Sequence, residues 1–407
     1  MILKIEIENF YSIKDKVTID FVAADINTKL AKELKDNVIE WNGTKILKSI
    51  GIFGPNASGK SNIIKAIAFC CRMILSSTLN NEGSIFNFKP FKFDNYDKKP
   101  SKFYIDFIVD NTEYEYSFTL TTTEILTEEL YYYPKGRKAK IFVRNEKNEK
   151  KYSFGDKIIQ KPSEITMNTS RKTLFLTRAS SMNRPIAQKI YRFFLQDFLL
   201  GLEWGNTKII EQNFNKYKSV ILKALSVCDS DICDIKLIHD KLNMPIADNN
   251  IFNNANDRII FITYHKKEPA KEFNLFVEES DGTKKLFLIL LSLLDVVKYN
   301  KSLMLDEFDE SLHIRLADFI IDLVHAAWHA QLLFTSHSTQ LIDTHRLRRD
   351  QILFANKKEN ASTEIYSLYD FKDFKDNMNA EKAYLQGRFD AIPYIESSVS
   401  NLKNLLS

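Results

Sequence analysis

Apolar and polar residues alternate along much of the first third of the chain. A period of two is typical of β-strands that bury one face. It occurs in the segments KIEIENF, VTIDFVA, FYIDFIVD, EYEYSFTL and ILTEELYYY. The pattern predicts an antiparallel sheet in the N-terminal part of the chain.

Helical periodicity replaces this alternation from about residue 180. IAQKIYRFFLQDFLLGL and YKSVILKALSV carry apolar residues at helical spacing, with few strand signals between them. The Asn-rich stretch at 247–257 predicts a loop, and RIIFITYH after it predicts a return to strand. We therefore divide the chain into an N-terminal lobe over 1–179, a helical insertion over 180–250 and a C-terminal lobe over 251–407.

Composition and net charge exclude few classes of protein. The 407 residues suffice for a large core, and the net charge of +4 neither requires nor excludes a nucleic-acid partner. The most apolar run, LFLILLSLL at 286–294, is shorter than the roughly 20 residues of a membrane-spanning helix, so we expect a buried helix there. The N-terminus lacks the basic start and apolar core of a secretory signal. We expect a cytoplasmic protein with no membrane partner.

The segment GPNASGKSN at 54–62 fits the phosphate-loop pattern G-x-x-x-x-G-K-[ST] and lies between a predicted strand and a predicted helix. In such a loop the backbone N–H groups point at phosphates, the Lys reaches the β- and γ-phosphates, and the hydroxyl binds Mg²⁺. We therefore expect Ser61 to be a magnesium ligand. The predicted nucleotide-binding residues of the loop are Gly54, Pro55, Asn56, Ala57, Ser58, Gly59, Lys60, Ser61 and Asn62.

A second motif, SLMLDEF, is an apolar strand that ends in two acids. Asp306 is the expected second Mg²⁺ ligand, and Glu307 is placed to orient or deprotonate the attacking water. The long separation between Lys60 and Asp306 favours a nucleotide-binding domain with a large insertion. The N-K-x-D tetrad of GTPases is lacking, since NKYK and NKKE have no Asp at the fourth position. ATP with Mg²⁺ is the predicted cofactor.

Two further segments flank this motif. Before it, ESDGTKKL opens an apolar helix and resembles the signature turn of ABC-type ATPases. The resemblance implies that Ser280 and Gly282 of one subunit contact the γ-phosphate held by another; an ordinary N-capped core helix is the alternative. After it, ESLHIRL is placed like the D-loop, and QLLFTSH ends at His337, which resembles the switch histidine of that family. A structural histidine at a strand end is the alternative reading of His337.

The complete order of motifs resembles the SMC/RecF-like branch of ABC ATPases, and within it the AAA15-type ATPases of bacterial abortive-infection and anti-phage systems. The tail, DQILFANKKENASTEIYSLYDF followed by EKAYLQGRFDAIPYI, is similar to the ending of that family. The resemblance implies an α/β fold: an ABC-type ATPase head, a phosphate-loop NTPase, with an N-terminal antiparallel β-subdomain and a helical insertion.

The same resemblance implies a function. Such a protein would bind and hydrolyse ATP, form a homodimer or a larger homo-oligomer with ATP, and act as a sensor or scaffold. It would control a separately encoded effector protein, a toprim-type nuclease or another toxin, in anti-phage defence. Glu307 and His337 would be its catalytic residues.

The chain departs from the ABC pattern at one point, because no Gln lies between Asn62 and Leu130 to serve as the Q-loop residue. Two alternatives stay open: a RecF-like repair ATPase that binds DNA directly, and a scaffold in which ATP only stabilises the fold.

The basic segments at 135–140 and 345–350 could contact DNA phosphates or be solvated loops. In HAAWH, His325 and His329 have zinc-compatible spacing, yet we expect a packed helix because the catalytic Glu of H-E-x-x-H is lacking.

Overall fold

The computed structural model of the chain describes residues 1–156, 158–201, 207–227, 231–240, 253–254 and 257–392. The strands are β1 (Ile2–Glu8), β2 (Val17–Asp20), β3 (Val38–Trp41), β4 (Thr44–Leu47), β5 (Ser49–Phe53), β6 (Ser101–Val109), β7 (Thr112–Leu120), β8 (Ile125–Tyr132), β9 (Ala139–Asn145), β10 (Tyr152–Phe154), β11 (Phe198–Leu200), β12 (Ile232–Asp240), β13 (Asn253–Asn254), β14 (Asp257–His265), β15 (Glu268–Asn274), β16 (Ser302–Leu305), β17 (Gln331–Ser336), β18 (Ile352–Lys357) and β19 (Thr363–Ser367). The helices are α1 (Lys29–Glu33), α2 (Lys60–Ser76), α3 (Pro162–Met167), α4 (Phe175–Ser181), α5 (Pro185–Arg192), α6 (Thr207–Val227), α7 (Leu275–Glu278), α8 (Asp281–Tyr299), α9 (Ile314–Ala326) and α10 (Ala380–Leu385).

The N-terminal lobe contains a seven-stranded antiparallel sheet in the order β10-β9-β8-β7-β6-β1-β2. Its register follows the alternation of the sequence: Ile5 of β1 lies opposite Ile19 of β2 and Ile105 of β6, and all three are buried. One face therefore carries most of the apolar residues of these strands. The predicted antiparallel sheet and the α/β fold class are confirmed.

A six-stranded sheet in the order β11-β16-β17-β5-β18-β19 forms the centre of the molecule. The first five strands are parallel, and β19 returns antiparallel to β18. Every residue of β5, β16 and β17 is buried, as expected for parallel strands covered on both faces. The carboxyl ends of these three strands meet at one edge, which brings together residues 54, 306 and 337.

Two apolar clusters cover the two faces of this sheet. One contains α2, the antiparallel sheet and residues such as Leu333 of β17. The other contains α6, α8, α9 and the residues on either side of Leu333, Leu332 and Phe334. Because successive residues of a strand point to opposite faces, β17 contributes to both clusters and joins the two halves of the fold.

The predicted helical insertion contains strands as well as helices. α5 ends in a wide helical turn at Phe193–Asp197, and the chain then extends into β11 beside β16. The helix predicted through residues 198–200 was wrong, because Phe198–Leu200 pair with Ser302–Met304 and this pairing outweighs the local periodicity. β12 also lies within 180–250 and pairs with β14, the strand predicted for RIIFITYH. The boundaries at 180 and 250 stay predictions.

Most of the loop predicted at 247–257 lies outside the described residues; within it, Asn253–Asn254 form β13, which pairs with β14. One described helical segment, Lys60–Leu79, is long and apolar enough to cross a membrane by length and composition alone. It begins at the phosphate loop and 56% of the window is buried inside the protein. We interpret it as a core helix. The apolar run at 286–294 lies within α8 and is buried except at Ser292, as predicted.

Candidate nucleotide site

The segment between β5 and α2 folds as a compact loop in which two glycines are required by close approach. A Cβ atom added at Gly54 would lie 2.3 Å from the carbonyl oxygen of Ala355. One added at Gly59 would lie 1.9 Å from Thr363 Oγ1, and Gly59 also has a φ of +101°. Neither position accommodates a side chain. The tail strands β18 and β19 thus pack directly against the loop.

A chain of side-chain hydrogen bonds holds the loop from behind. Asn62 Nδ2 donates to Ser12 Oγ at 2.7 Å, and Ser12 Oγ lies 2.7 Å from Thr363 Oγ1. Thr363 Oγ1 donates to the carbonyl oxygen of Ser58 at 2.9 Å. The amide of Asn62, predicted to bind nucleotide, is therefore used in positioning the loop. Ser12 and Thr363 have no motif that would reveal this role, because they meet only in the folded chain.

Lys60 lies buried at the start of α2. Its ammonium donates to the carbonyl oxygens of Gly54 at 2.7 Å and Pro55 at 3.0 Å, and lies 3.4 Å from His337 Nδ1. Burial lowers the pKa of Lys60 to about 8, against the opposing effect of nearby carboxylates, first of all that of Glu307. Burial disfavours the charged form of Lys60, and the nearby carboxylates of Glu307 and Asp306 partly offset this cost.

The two acids after β16 are held by the neighbouring strand β17. Thr335 Oγ1 donates to Asp306 Oδ1 at 2.6 Å and accepts from the backbone N–H of Glu307 at 2.8 Å. Glu307 has a φ of +47°, a strained conformation for a residue with a side chain. Its carboxylate lies 3.6 Å from His337 Nε2. Lys60, Glu307 and His337 therefore form one cluster, and Thr335, which the sequence analysis missed, fixes its acidic part.

The residues of this cluster fit a magnesium-bound nucleoside triphosphate. The hydroxyl of Ser61 and the carboxylate of Asp306 are hard oxygen ligands of the kind that Mg²⁺ prefers. The ammonium of Lys60 and the backbone N–H groups at the start of α2 suit anionic phosphates. Ser58 Oγ is buried and, within the described part of the chain, has no hydrogen-bond partner. The oxygen ligands, the N–H donors and the tightly packed glycines agree with the predicted cofactor, ATP with Mg²⁺.

The signature-like turn lies at the start of α8. Ser280 Oγ accepts from the backbone N–H of Thr283 at 3.1 Å and so caps its own helix. A Cβ atom at Gly282 would lie 2.8 Å from the carbonyl oxygen of Ser311, so the turn packs tightly on the segment after the acids. Ser280 is exposed. Within a single chain its contacts are those of the N-cap alternative, and its exposure leaves it accessible to a second subunit.

The two histidines of HAAWH do not lie one turn apart on a single helix, because only the first of them lies within α9. His325 is buried in α9 with Nε2 2.8 Å from Ser49 Oγ, and burial lowers its pKa to about 3. α9 ends at Ala326, so His329 lies beyond the helix. In the described parts of the chain no cluster of three metal-binding side chains occurs. The packed helix expected at HAAWH is therefore present only up to Ala326, and the rest of the motif lies beyond α9.

The basic segment at 345–350 has most of its charge paired within the protein. Arg346 pairs with Asp318 and Asp322 of α9. Arg348 donates to Asp350 at 2.7 Å, and Arg349 lies 3.9 Å from Asp376. Arginines that are paired in this way are poorly placed to neutralise DNA phosphates. The solvated loop expected as the alternative is wrong as well, because Arg348 and Asp350 are buried and only His345 of the segment is exposed.

Comparisons with known proteins identify the family. The profile of the family described as "AAA domain, putative AbiEii toxin, Type IV TA system" matches residues 49–343. No curated protein matches the chain. Among solved structures, an SMC head bound to the C-winged helix domain of ScpA is 16% identical with a TM-score of 0.40, covering 94% of this chain and 99% of that chain. The SMC head domain from Thermotoga maritima is 14% identical with a TM-score of 0.38, covering 90% and 98%.

Structural likeness at these scores carries no argument about function, so the family assignment rests on the profile. The matched segment is well over half of the chain and includes the phosphate loop, the signature-like turn, both acids and His337. The chain belongs to this AAA-domain family of nucleotide-binding ATPases.

Proposed function

We propose that this protein hydrolyses ATP and that its ATP-bound form assembles into a homodimer or a larger oligomer. One observation carries the proposal: Lys60, Asp306, Glu307 and His337 converge at the carboxyl edge of the central sheet. A phosphate-binding cation, a magnesium ligand and a carboxylate that can act on water are the groups that phosphoryl transfer to water requires.

The residues have distinct roles in this proposal. Lys60 and the N–H groups of residues 54–62 bind the phosphates, and Ser61 and Asp306 hold the metal. Bound Mg²⁺ neutralises charge on the phosphates. Thr335 fixes the backbone of Glu307, so that the carboxylate of Glu307 can orient a water molecule or accept its proton. His337 lies between Lys60 and Glu307, where it can contact the terminal phosphate.

The exposed turn at 280–283 supports assembly. Its helix α8 is 19 residues long and its N-terminus favours anions. Ser280 contacts its own helix in the single chain and is exposed on the other side. In the proposed dimer Ser280 and Gly282 of each subunit complete the phosphate site of the other subunit, which makes assembly dependent on ATP.

We further propose that the assembly controls a separately encoded toxic effector, a toprim-type nuclease or another toxin, in cytoplasmic anti-phage defence. Support for the separate effector comes from the order of the motifs and from the tail. The family description supports a defence role more generally, because it places the AAA domain in a toxin–antitoxin system. The tail is part of the site, because β18 and β19 pack against Gly54 and Gly59.

The test uses a Glu307→Gln protein, which should bind ATP but not hydrolyse it. With saturating ATP and Mg²⁺ we expect sedimentation velocity to show a dimer or larger species, while Lys60→Ala protein stays monomeric under the same conditions. A Glu307→Gln protein that stays monomeric would contradict the proposed assembly. Turnover in the wild type that Glu307→Gln leaves unchanged would contradict the proposed catalytic role.

Co-purification of the Glu307→Gln protein from its native operon then tests the partner. A neighbour-encoded protein that binds the ATP-dependent oligomer after nuclease treatment would support effector control. Oligomers that retain only DNA, and lose it with a steep dependence on salt, would instead support the repair ATPase.

A further inference from the structure

We propose that Lys285 is a positioning residue that couples the two ATP sites of the dimer. It joins the signature-like turn, which faces the partner's nucleotide, to Glu307 of its own subunit. This inference rests on the proposed ATP-dependent dimer and adds a route by which one site sets the catalytic carboxylate of the other.

The first observation is a direct bond between α8 and the catalytic segment. Lys285 Nζ donates to the carbonyl oxygen of Glu307 at 2.7 Å and lies 3.7 Å from the carboxylate of Glu310. Lys285 is partly buried, so its charge-assisted bond to the carbonyl is only weakly screened by water. The exposed Glu310 contributes less. The backbone of Glu307 is therefore the main attachment point of Lys285.

The second observation is that residues 307–311 are held from both sides. On one side Gly282 of α8 packs against the carbonyl of Ser311. On the other side Thr335 of β17 binds the backbone N–H of Glu307, and its carbonyl accepts from Phe308. Both Glu307 and Ser311 have positive φ values, +47° and +62°. Such strained positions persist only where the surroundings impose them.

These contacts make α8 a rigid connection. Ser280 and Lys285 are about 7.5 Å apart along the helix axis, at 1.5 Å per residue. A force on Ser280 from the partner's bound phosphate is transmitted through the first turns of the helix to the carbonyl of Glu307. In a symmetric dimer this happens twice, so each occupied site positions Glu307 of the opposite site. Hydrolysis should then be positively cooperative in ATP.

The chain offers a matched control at the next position. Lys284 has the same side chain on the same turn of α8, but its ammonium lies 3.1 Å from Asp281, within its own helix. Removing the charge of Lys284 changes the charge of this helical turn by the same amount as removing the charge of Lys285. Only removal of the Lys285 charge breaks the link to Glu307.

The experiment compares Lys285→Met, Lys284→Met and Lys285→Arg in the full chain with MgATP. We expect all three to bind MgATP and, in the Glu307→Gln background, to form the same oligomer as the parent protein. Lys285→Met should lower kcat about tenfold, as misplacement of a catalytic group does, and lower the Hill coefficient towards one. Lys284→Met should leave both unchanged, and Lys285→Arg should recover part of each.

A readout independent of turnover is hydrogen exchange in the segment 303–313 of the Glu307→Gln protein. We expect MgATP to slow exchange there in the parent and in Lys284→Met, but not in Lys285→Met, while residues 54–62 are protected in all three. If Lys285→Met does not fold, Lys285→Gln takes its place. Unchanged cooperativity and unchanged protection in the Lys285 variants would overturn the coupling. A wild type that dimerises without cooperativity would overturn it too, whereas a wild type without dimers would first contradict the proposed function.

Discussion

Lys60 is a buried basic residue, and we therefore expect the fraction of its side-chain amine that is protonated to change when nucleotide binds. Its contacts within the loop are backbone carbonyls, and burial lowers its pKa to about 8. Phosphate oxygens favour the charged form and raise the pKa again. Below pH 8 the ammonium is charged before binding. Above pH 8 it must first gain a proton, so affinity for MgATP should fall as pH rises through this value.

Calorimetry can measure this proton directly. At pH 8 we expect binding of MgATP to take up about half a proton per site, and at pH 6.5 almost none, as follows from a pKa near 8. The measurement is the binding enthalpy in two buffers of different ionisation enthalpy, with Lys60→Ala as the non-binding blank. Equal enthalpies in both buffers at pH 8 would show that the ammonium is already fully charged.

The residues of the site divide into those that the sequence reveals and those that only the fold brings in. Lys60, Asp306 and Glu307 follow from short motifs, because their chemistry depends on residues that are neighbours in the chain. Thr335 and Lys285 could not be identified, since a hydroxyl on a strand and a lysine on a helix are common. Their roles depend on contacts with Asp306 and Glu307 across separate elements.

At the scale of elements, the short helix α4 depends on a side chain from the antiparallel sheet. Glu128 of β8 is fully buried and accepts from the backbone N–H groups of Phe175 at 2.6 Å and Leu176 at 2.9 Å. Arg144 of β9 lies 3.7 Å from the same carboxylate and donates to the carbonyl oxygen of Thr173 at 2.7 Å. The buried pair thus fixes the start of α4 to the sheet.

Replacing Glu128 by Gln should therefore destabilise the protein. The amide keeps the size of the side chain but removes one of the two carboxylates beside Arg144, the other being that of Glu146 at 2.9 Å, and it cannot accept as many N–H groups. Breaking a buried pair from one side costs about 3–5 kcal/mol, and we expect the lower end of this range because Glu146 still pairs with Arg144. Urea unfolding should show this loss, whereas Glu129→Gln, on the less buried neighbour, should change the free energy of unfolding by less than about 1 kcal/mol. Equal effects of the two substitutions would show that the pair is not the anchor of α4.

Elements differ in how far the sequence determines them. The antiparallel strands could be predicted because one face is buried and the alternation is therefore visible in β1 and β6. β11 could not be predicted, because Phe198–Leu200 continue a helical spacing and become a strand only by pairing with β16. The spacing of apolar residues in the sequence reflects which side chains are buried. Whether a segment ends a helix or forms an edge strand depends instead on which backbone N–H and C=O groups of other elements lie beside it.

At the scale of the whole molecule, one buried side chain joins the two large sheets. Gln331, the first residue of β17, is fully buried. Its side chain accepts from the backbone N–H of Ile2 at 2.6 Å and donates to the carbonyl oxygen of Ile2 at 2.8 Å. Ser302 Oγ of β16 donates to the same amide oxygen at 3.0 Å. The N-terminal strand β1 is thereby attached to the strand that leads to His337.

The substitution Gln331→Met tests whether this attachment makes the two sheets one cooperative unit. Methionine has a similar size but leaves the N–H and C=O groups of Ile2 without partners, which costs about 1–3 kcal/mol for each group. We expect the urea midpoint of the seven-stranded sheet to fall below that of the six-stranded sheet that carries the nucleotide site. Unfolding followed by circular dichroism and by loss of MgATP binding should then separate, whereas we expect the two transitions to coincide in the wild type.

The same substitution at the exposed Gln386, the C-cap of α10, is the control and should leave both transitions unchanged. Coincident transitions at the wild-type midpoint in Gln331→Met would show that the two lobes are joined by the apolar clusters alone. Separated transitions would instead mean that a single amide couples the seven-stranded sheet to β17, the strand that leads to His337. The stability of the seven-stranded sheet would then depend on nucleotide, because ATP stabilises only the state in which both sheets are folded together.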